Sequence, residues 1–173
     1  MGHPVPHKKI KLIIGFIFSN AVQLKKAEEF LLRKIGPFDA ESAVFDFSHT
    51  DYYKEEYGEN LKRKFVSLKR LASLEDIFKV KLITDEIEKK TSKDGKRLVN
   101  IDPGYITESK LVLLTTKDYS HRIYLRKGIY AEITLKFRGG TFCPAETTYP
   151  DYKGDDYIKF FNHIRMTYKE EIK

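Results

Sequence analysis

Polar and apolar positions alternate with a period of two over much of this chain, and three stretches change to helical spacing. Residues 10–18 (IKLIIGFIF) form a short, almost wholly apolar run, which predicts a buried strand. Ser19 or Asn20 then offers an N-cap. Leu24, Ala27, Leu31 and Ile35 recur at helical spacing with Phe30 beside them, until Gly36-Pro37 stops the helix. A second strand is expected over 41–47 (ESAVFDF) and a third around 65–68, flanked by Lys62, Arg63, Lys64, Lys69 and Arg70. Ser73 opens a second helix whose face is Ile77, Val80, Ile83 and Ile87. The alternation of Phe78, Val80 and Leu82 with Lys79 and Lys81 leaves a short strand as the other option there. Residues 97–101 supply a fourth strand. Strand, helix, strand, strand, helix, strand is the order of a ferredoxin-like split βαβ unit. The expected fold is therefore α+β: a ferredoxin-like core with a mostly antiparallel sheet, extended by a β-hairpin and a C-terminal helix.

The extension is the most legible part. Residues 110–116 (KLVLLTT) are nearly all apolar and read as a central strand buried on both faces. Residues 121–125 and 129–135 each alternate. A three-residue loop, Arg126-Lys127-Gly128, sets Leu125 opposite Ile129, Tyr124 opposite Tyr130 and Ile123 opposite Ala131. In that register Arg122 falls opposite Glu132, on the face away from Ile123 and Ile133, and His121 falls on the apolar side as a packed, hydrogen-bonded residue. Upstream, Pro103-Gly104 has the chemistry of a type II turn, which would present Asn100 and Asp102. After Gly139-Gly140, residues 141–150 look irregular. A final helix follows Gly154-Asp155, with Tyr157, Phe161, Ile164, Tyr168 and Ile172 on one face.

Composition narrows the class. The chain has 173 residues, 41% hydrophobic and 13% aromatic, enough for one α+β domain over 10–173 behind a flexible tail at 1–9. The net charge of +7 permits anionic partners, although the basic residues are spread among acidic ones. A single cysteine, Cys143, excludes an intramolecular disulfide and a cysteine metal cluster. No apolar run approaches a membrane span and no signal-like core opens the chain, so a soluble cytoplasmic protein without membrane contact is expected. One Gln, four Asn and many Lys and Glu lean towards a thermophilic source.

The segments DYYKEEYG, GKRLVNIDPGYIT, SKLVLLTTKDYSHRIYL, GIYAEITL and TYPDY resemble the bacterial domain-of-unknown-function 4416 family, over about residues 11–168. The resemblance implies no established activity. Some members carry a GTP-binding label, but a P-loop needs Gly-Lys-Ser/Thr after a glycine-rich turn. Here Asp94-Gly95-Lys96-Arg97 puts arginine where the hydroxyl must be. Thr115-Thr116-Lys117-Asp118 is too short for a guanine-reading loop. Dinucleotide, zinc-protease and serine-hydrolase signatures are also missing, and no motif identifies a cofactor or a metal.

What remains is a constellation. Asp51, Tyr52 and Tyr53 follow the second strand. Asn100 and Asp102 lie in the Pro-Gly segment. Lys110, Lys117, Arg122 and Glu132 sit on or beside the central strands, with Tyr124 and Tyr130 on the hairpin and Tyr149 and Asp151 in the last loop. If they converge, Arg and Lys would hold the phosphate or carboxylate of a small anionic ligand. Glu132 and Asp102 are the candidates for catalytic carboxylates, acting as general base or magnesium ligand. Whether a reaction occurs stays open. The alternatives are an RNA-binding module, stacking bases on Tyr124 and Tyr130 near Arg122 and Arg126, or a non-catalytic interaction subunit. No RNP-like aromatic signature accompanies the first. The oligomeric state is not legible.

Overall fold

A computed structural model describes residues 2–47 and 60–173. In chain order the elements are β1 (Lys11–Phe18), α1 (Ala21–Lys34), β2 (Phe38–Glu41), β3 (Phe45–Asp46), β4 (Lys62–Leu68), α2 (Ile77–Lys90), β5 (Val99–Ile106), β6 (Lys110–Thr115), β7 (Ile123–Arg126), β8 (Ile129–Arg138), β9 (Thr141–Pro144), a 3-10 turn (Asp151–Lys153) and α3 (Asp155–Glu171). The sheet order is β2-β4-β1-β5-β6-β8-β7, with β3 on β4 and β9 on β8. All the pairings are antiparallel. The first four strands of that order, with α1 and α2, form the split βαβ core, and β6, β8 and β7 extend it.

Each strand of the centre buries both faces. Ile14, Phe16, Val66, Leu68, Val112 and Leu114 pack with Leu24, Leu31 and Ile87 of α1 and α2. Ile13, Phe65, Leu111, Leu113 and Leu135 pack on the other face with Tyr157, Phe161, Ile164 and Tyr168 of α3. This apolar face of α3 is the one expected from its spacing. Asn20 caps α1 by accepting from the Val22 and Gln23 amides. Lys11 on β1 is buried and reaches Asp39 and both carboxylate oxygens of Glu171 (2.7 and 2.9 Å), tying the last turn of α3 to the sheet.

Four local expectations are corrected. In place of one strand over 41–47 there are two short ones, β2 beginning earlier at Phe38 and ending at Glu41, and β3 covering only Phe45–Asp46. Residues 141–144 pair with β8 instead of staying irregular. The hairpin closes through a two-residue turn, Lys127-Gly128, both with positive φ (51° and 77°), and Arg126 rather than Leu125 faces Ile129. Such a turn matches strand twist, and the surplus residue, Leu125, is taken up as a bulge. The pairs Ile123–Ala131 and Tyr124–Tyr130 are those expected.

The fourth correction matters most. Pro103-Gly104 makes no turn but lies inside β5, where Pro103 faces Ile14 and Gly104 faces Leu113. Gly104 is required by close approach: a Cβ there would stand 2.4 Å from the Val112 carbonyl oxygen. Pro103 has no N–H to give a neighbour. Accordingly β5 pairs with β6 only over Gly104–Ile106, while it pairs with β1 along its whole length. The two strands part at the proline.

Candidate functional site

The parting of β5 and β6 leaves backbone groups of a central strand without a sheet partner among the described residues, and helix α2 supplies partners from two side chains. The Ile101 amide donates to Glu88 Oε1 (2.6 Å), and the Ile101 carbonyl accepts from Lys81 Nζ (3.2 Å). Ile101 and Pro103 share the side of β5 turned from β1, as period two requires. Burial raises the Glu88 pKa, against the pull of Lys81, the Ile101 amide and Arg97. Arg97 also contacts this carboxylate at 3.2 Å. The gap is thus held open by an ordered polar arrangement.

A cavity of about 530 Å³ occupies this gap and reaches the loops beyond it. Its cationic lining is Arg63, Lys81, Arg97, Lys117 and Arg122, and its carboxylates are Asp102, Glu132 and Asp151. Two arginine–carboxylate clusters organise it.

The first surrounds Arg63 on β4, whose side chain is 1% exposed. Nη1 donates to Asp102 Oδ2 (2.9 Å), Nη2 to the Tyr152 hydroxyl (2.6 Å), and Nε lies 3.8 Å from Asp151 Oδ2. The guanidinium sits over the Phe65 and Tyr152 rings, 4.8 and 5.1 Å from their centroids. Space for it comes from Gly15 on β1, where a Cβ would stand 3.1 Å from Nη2 and 3.0 Å from the Phe65 ring. Burial alone would lower the Arg63 pKa. Tyr152, Asp151 and Asp102 outweigh that and hold it well above the ordinary value. Burial also pushes the Tyr152 hydroxyl well up, and the Tyr157 hydroxyl up to about 12.

The second cluster surrounds Glu132 on β8, a buried side chain. Oε2 accepts from Arg122 Nε (2.7 Å) and lies 3.0 Å from His121 Nε2. Arg122 continues to the Lys117 carbonyl (3.0 Å) and the Tyr149 hydroxyl (2.6 Å), so one guanidinium fixes the loop after β6 and the loop before the 3-10 turn. Burial works against the Arg122 charge, but Glu132 and Tyr149 raise its pKa overall. The Tyr149 pKa is raised too, by burial and by Glu132. A bulge on β8 at Thr134 gives Glu132 its surroundings: Val112 faces Ile133 and Leu111 faces Leu135, so Leu135 shares Glu132's face. The uniform apolar face expected over 129–135 is therefore broken, and Ile123 and Ile133 are exposed. His121 lies in the turn before β7, where strand alternation does not apply, and joins Glu132 instead of the apolar side.

Of the residues singled out from sequence, Asn100, Asp102, Lys117, Arg122, Glu132, Tyr149 and Asp151 meet at this cavity. Lys110 does not. It begins β6, opposite Lys136, about 16 Å of strand from the cavity end at Thr115. Tyr124 and Tyr130 stay on the hairpin, packed edge to face at 5.3 Å, and do not line the cavity. Asp51, with Tyr52 and Tyr53, lies outside the described residues. Arg63, Lys81, Arg97 and Tyr152 were missed. Arg63 had a signal: on β4 it shares parity with Phe65 and Ser67, so it belongs on an inward face. Among the described residues no group of three or more His, Cys, Asp or Glu side chains is placed to hold a metal ion.

The fold and cavity define a ferredoxin-like α+β protein whose extended sheet is split beside a polar cleft. The chain belongs to the domain of unknown function DUF4416 family, whose model matches residues 8–168. Comparison with curated proteins and with solved structures finds no match. No helix among the described residues is long and apolar enough to cross a membrane.

Proposed function

We propose that the cleft between β5 and β6 binds a small anionic molecule through its phosphate or carboxylate group, with Glu132 and Asp102 available as acid–base groups. The observation that carries this reading is the convergence of five cationic side chains on one cavity. Two of them, the buried Arg63 and the half-buried Arg122, are oriented by carboxylates. Arginine held in this way presents fixed donors suited to planar or tetrahedral oxyanions. The cavity volume lies in the ordinary range for small-molecule sites.

An RNA-binding module is less well supported. A base-stacking sheet needs an open face, whereas α1 and α2 cover one face here and α3 the other. A protein-interaction role has one observation in its favour. The edge strand β7 exposes Ile123 (68%), Tyr124 (56%) and Leu125 (37%).

A thermal-shift panel separates these readings. It takes nucleotides, phosphorylated metabolites, divalent metals and a short RNA, each at low and high salt. A small-anion shift that persists in salt and vanishes in Arg122→Ala supports the cleft. A shift only with RNA, lost at high salt, supports the nucleic-acid reading. No shift at all turns attention to a protein partner at β7.

A further inference from the structure

Carboxylates stand among the cations of the cleft. Asp102 and Asp151 flank Arg63, Glu132 holds Arg122, Asp85 contacts Lys81 at 2.9 Å and Glu88 contacts Arg97 at 3.2 Å. A bare anion entering this lining meets acceptors nearly as often as donors. The best-matched ligand therefore carries hydrogen-bond donors as well as negative charge.

The two organising carboxylates show where those donors go. Arg63 engages only Oδ2 of Asp102. Arg122 and His121 both engage Oε2 of Glu132. Among the described residues, Asp102 Oδ1 and Glu132 Oε1 carry no hydrogen bond, and both side chains line the cavity. Each carboxylate is thus anchored through one oxygen, with the other left to accept. A ligand ammonium would satisfy these oxygens but would meet five lining cations. Hydroxyl groups satisfy them without that repulsion. Apolar and aromatic walls, including Ile17, Phe47, Leu114 and Tyr152, suit the C–H faces of a hydroxylated carbon skeleton.

Building on the anion-binding reading, we infer that the cleft takes a polyhydroxylated anion of the sugar-phosphate type. Its charged group lies toward Arg122, and its hydroxyls donate to Asp102 Oδ1 and Glu132 Oε1. The test is isothermal titration of the full chain with ribose 5-phosphate, glucose 6-phosphate, inorganic phosphate and neutral ribose. At least one sugar phosphate binds ten-fold or more tighter than inorganic phosphate, because a site built to accept from hydroxyls penalises a ligand that lacks them. In Asp102→Asn the preference falls below about three-fold while phosphate affinity does not drop, since a negative charge has been removed from the site. Equal binding of sugar phosphates and inorganic phosphate by the native protein overturns this inference and leaves the anion reading standing. Binding of ribose as tightly as its phosphate, or of none of the four, overturns both. A preference that survives in Asp102→Asn removes Asp102 from the hydroxyl site.

Discussion

Replacing Arg63 with methionine gives the sharpest test of the cleft's architecture. The side chain is 1% exposed, and it is the cation between Asp102 (2.9 Å) and Asp151 (3.8 Å), whose own side chain is 8% exposed. Methionine fills most of the volume against Phe65 but offers no donor. Asp151 is then a charge in a poorly hydrated place, and the Tyr152 hydroxyl loses its donor at 2.6 Å. Removing one partner of a buried ion pair costs about 3–5 kcal/mol, because the charge left behind loses the cation that offsets its burial. For a chain of this length about 1 kcal/mol moves the midpoint by roughly 2–4 °C, so a fall of roughly 6–20 °C is expected. Urea unfolding followed by circular dichroism gives the free energy, and an unchanged m-value shows that compactness is kept. The double variant Arg63→Met with Asp151→Asn should recover at least about 1 kcal/mol of the loss. A loss under about 1 kcal/mol in the single variant, with no recovery in the double, would refute a buried guanidinium held by these carboxylates.

Three further changes probe the frame around the cleft. Glu88 has a raised pKa in the folded chain, so between about 4.5 and that value the native state holds a proton that the unfolded state has lost. Stability should fall as pH rises through this window and be level below it. Glu88→Gln, which can still accept from the Ile101 amide, should flatten the slope in pH-dependent denaturation, and an unaltered slope would remove Glu88 as its source. Gly104→Ala drives a Cβ into the Val112 carbonyl and should cost about 1–3 kcal/mol by overpacking; a loss below about 0.5 kcal/mol would mean that the strands are not this close. Lys127→Asn places Asn-Gly in the two-residue turn, where Lys127 has φ 51°, and should stabilise the hairpin by roughly 0.5 kcal/mol. Destabilisation by that variant would argue against the turn described.

The core order could be read from the chain because its signals are local: the Asn20 cap, the Gly36-Pro37 stop, and helical spacing that persists through α2 despite its alternating start. The cleft was only half legible. Asn100, Asp102, Arg122 and Glu132 stand near strong strand signals, and the Arg122–Glu132 pair follows from the hairpin register alone. Arg63 was hidden because its partners are distant in sequence, Asp102 by 39 residues and Tyr152 by 89, and its neighbours Lys62 and Lys64 make it look like one more surface cation. Pro103-Gly104 misled for the opposite reason. Its local chemistry favours a turn, but pairing with β1 on one side and the close contact with β6 at Gly104 override it. The proline then shows itself as the point where the sheet opens. Lys110 failed because period-two reasoning fixes a face and says nothing of which end of a strand meets the site.

The central claim is that the split between β5 and β6 is an anion site. The direct measurement is a titration of 15N-labelled protein with inorganic phosphate and ribose 5-phosphate, followed by amide chemical shifts. The account predicts saturable shifts centred on Asn100–Asp102, Thr115–Lys117, Tyr149–Tyr152 and the neighbourhoods of Arg122 and Glu132, all of which border the cavity. They should be abolished in Arg122→Ala. Shifts centred instead on Tyr124 and Tyr130, or saturable shifts that persist unchanged in Arg122→Ala, would contradict it.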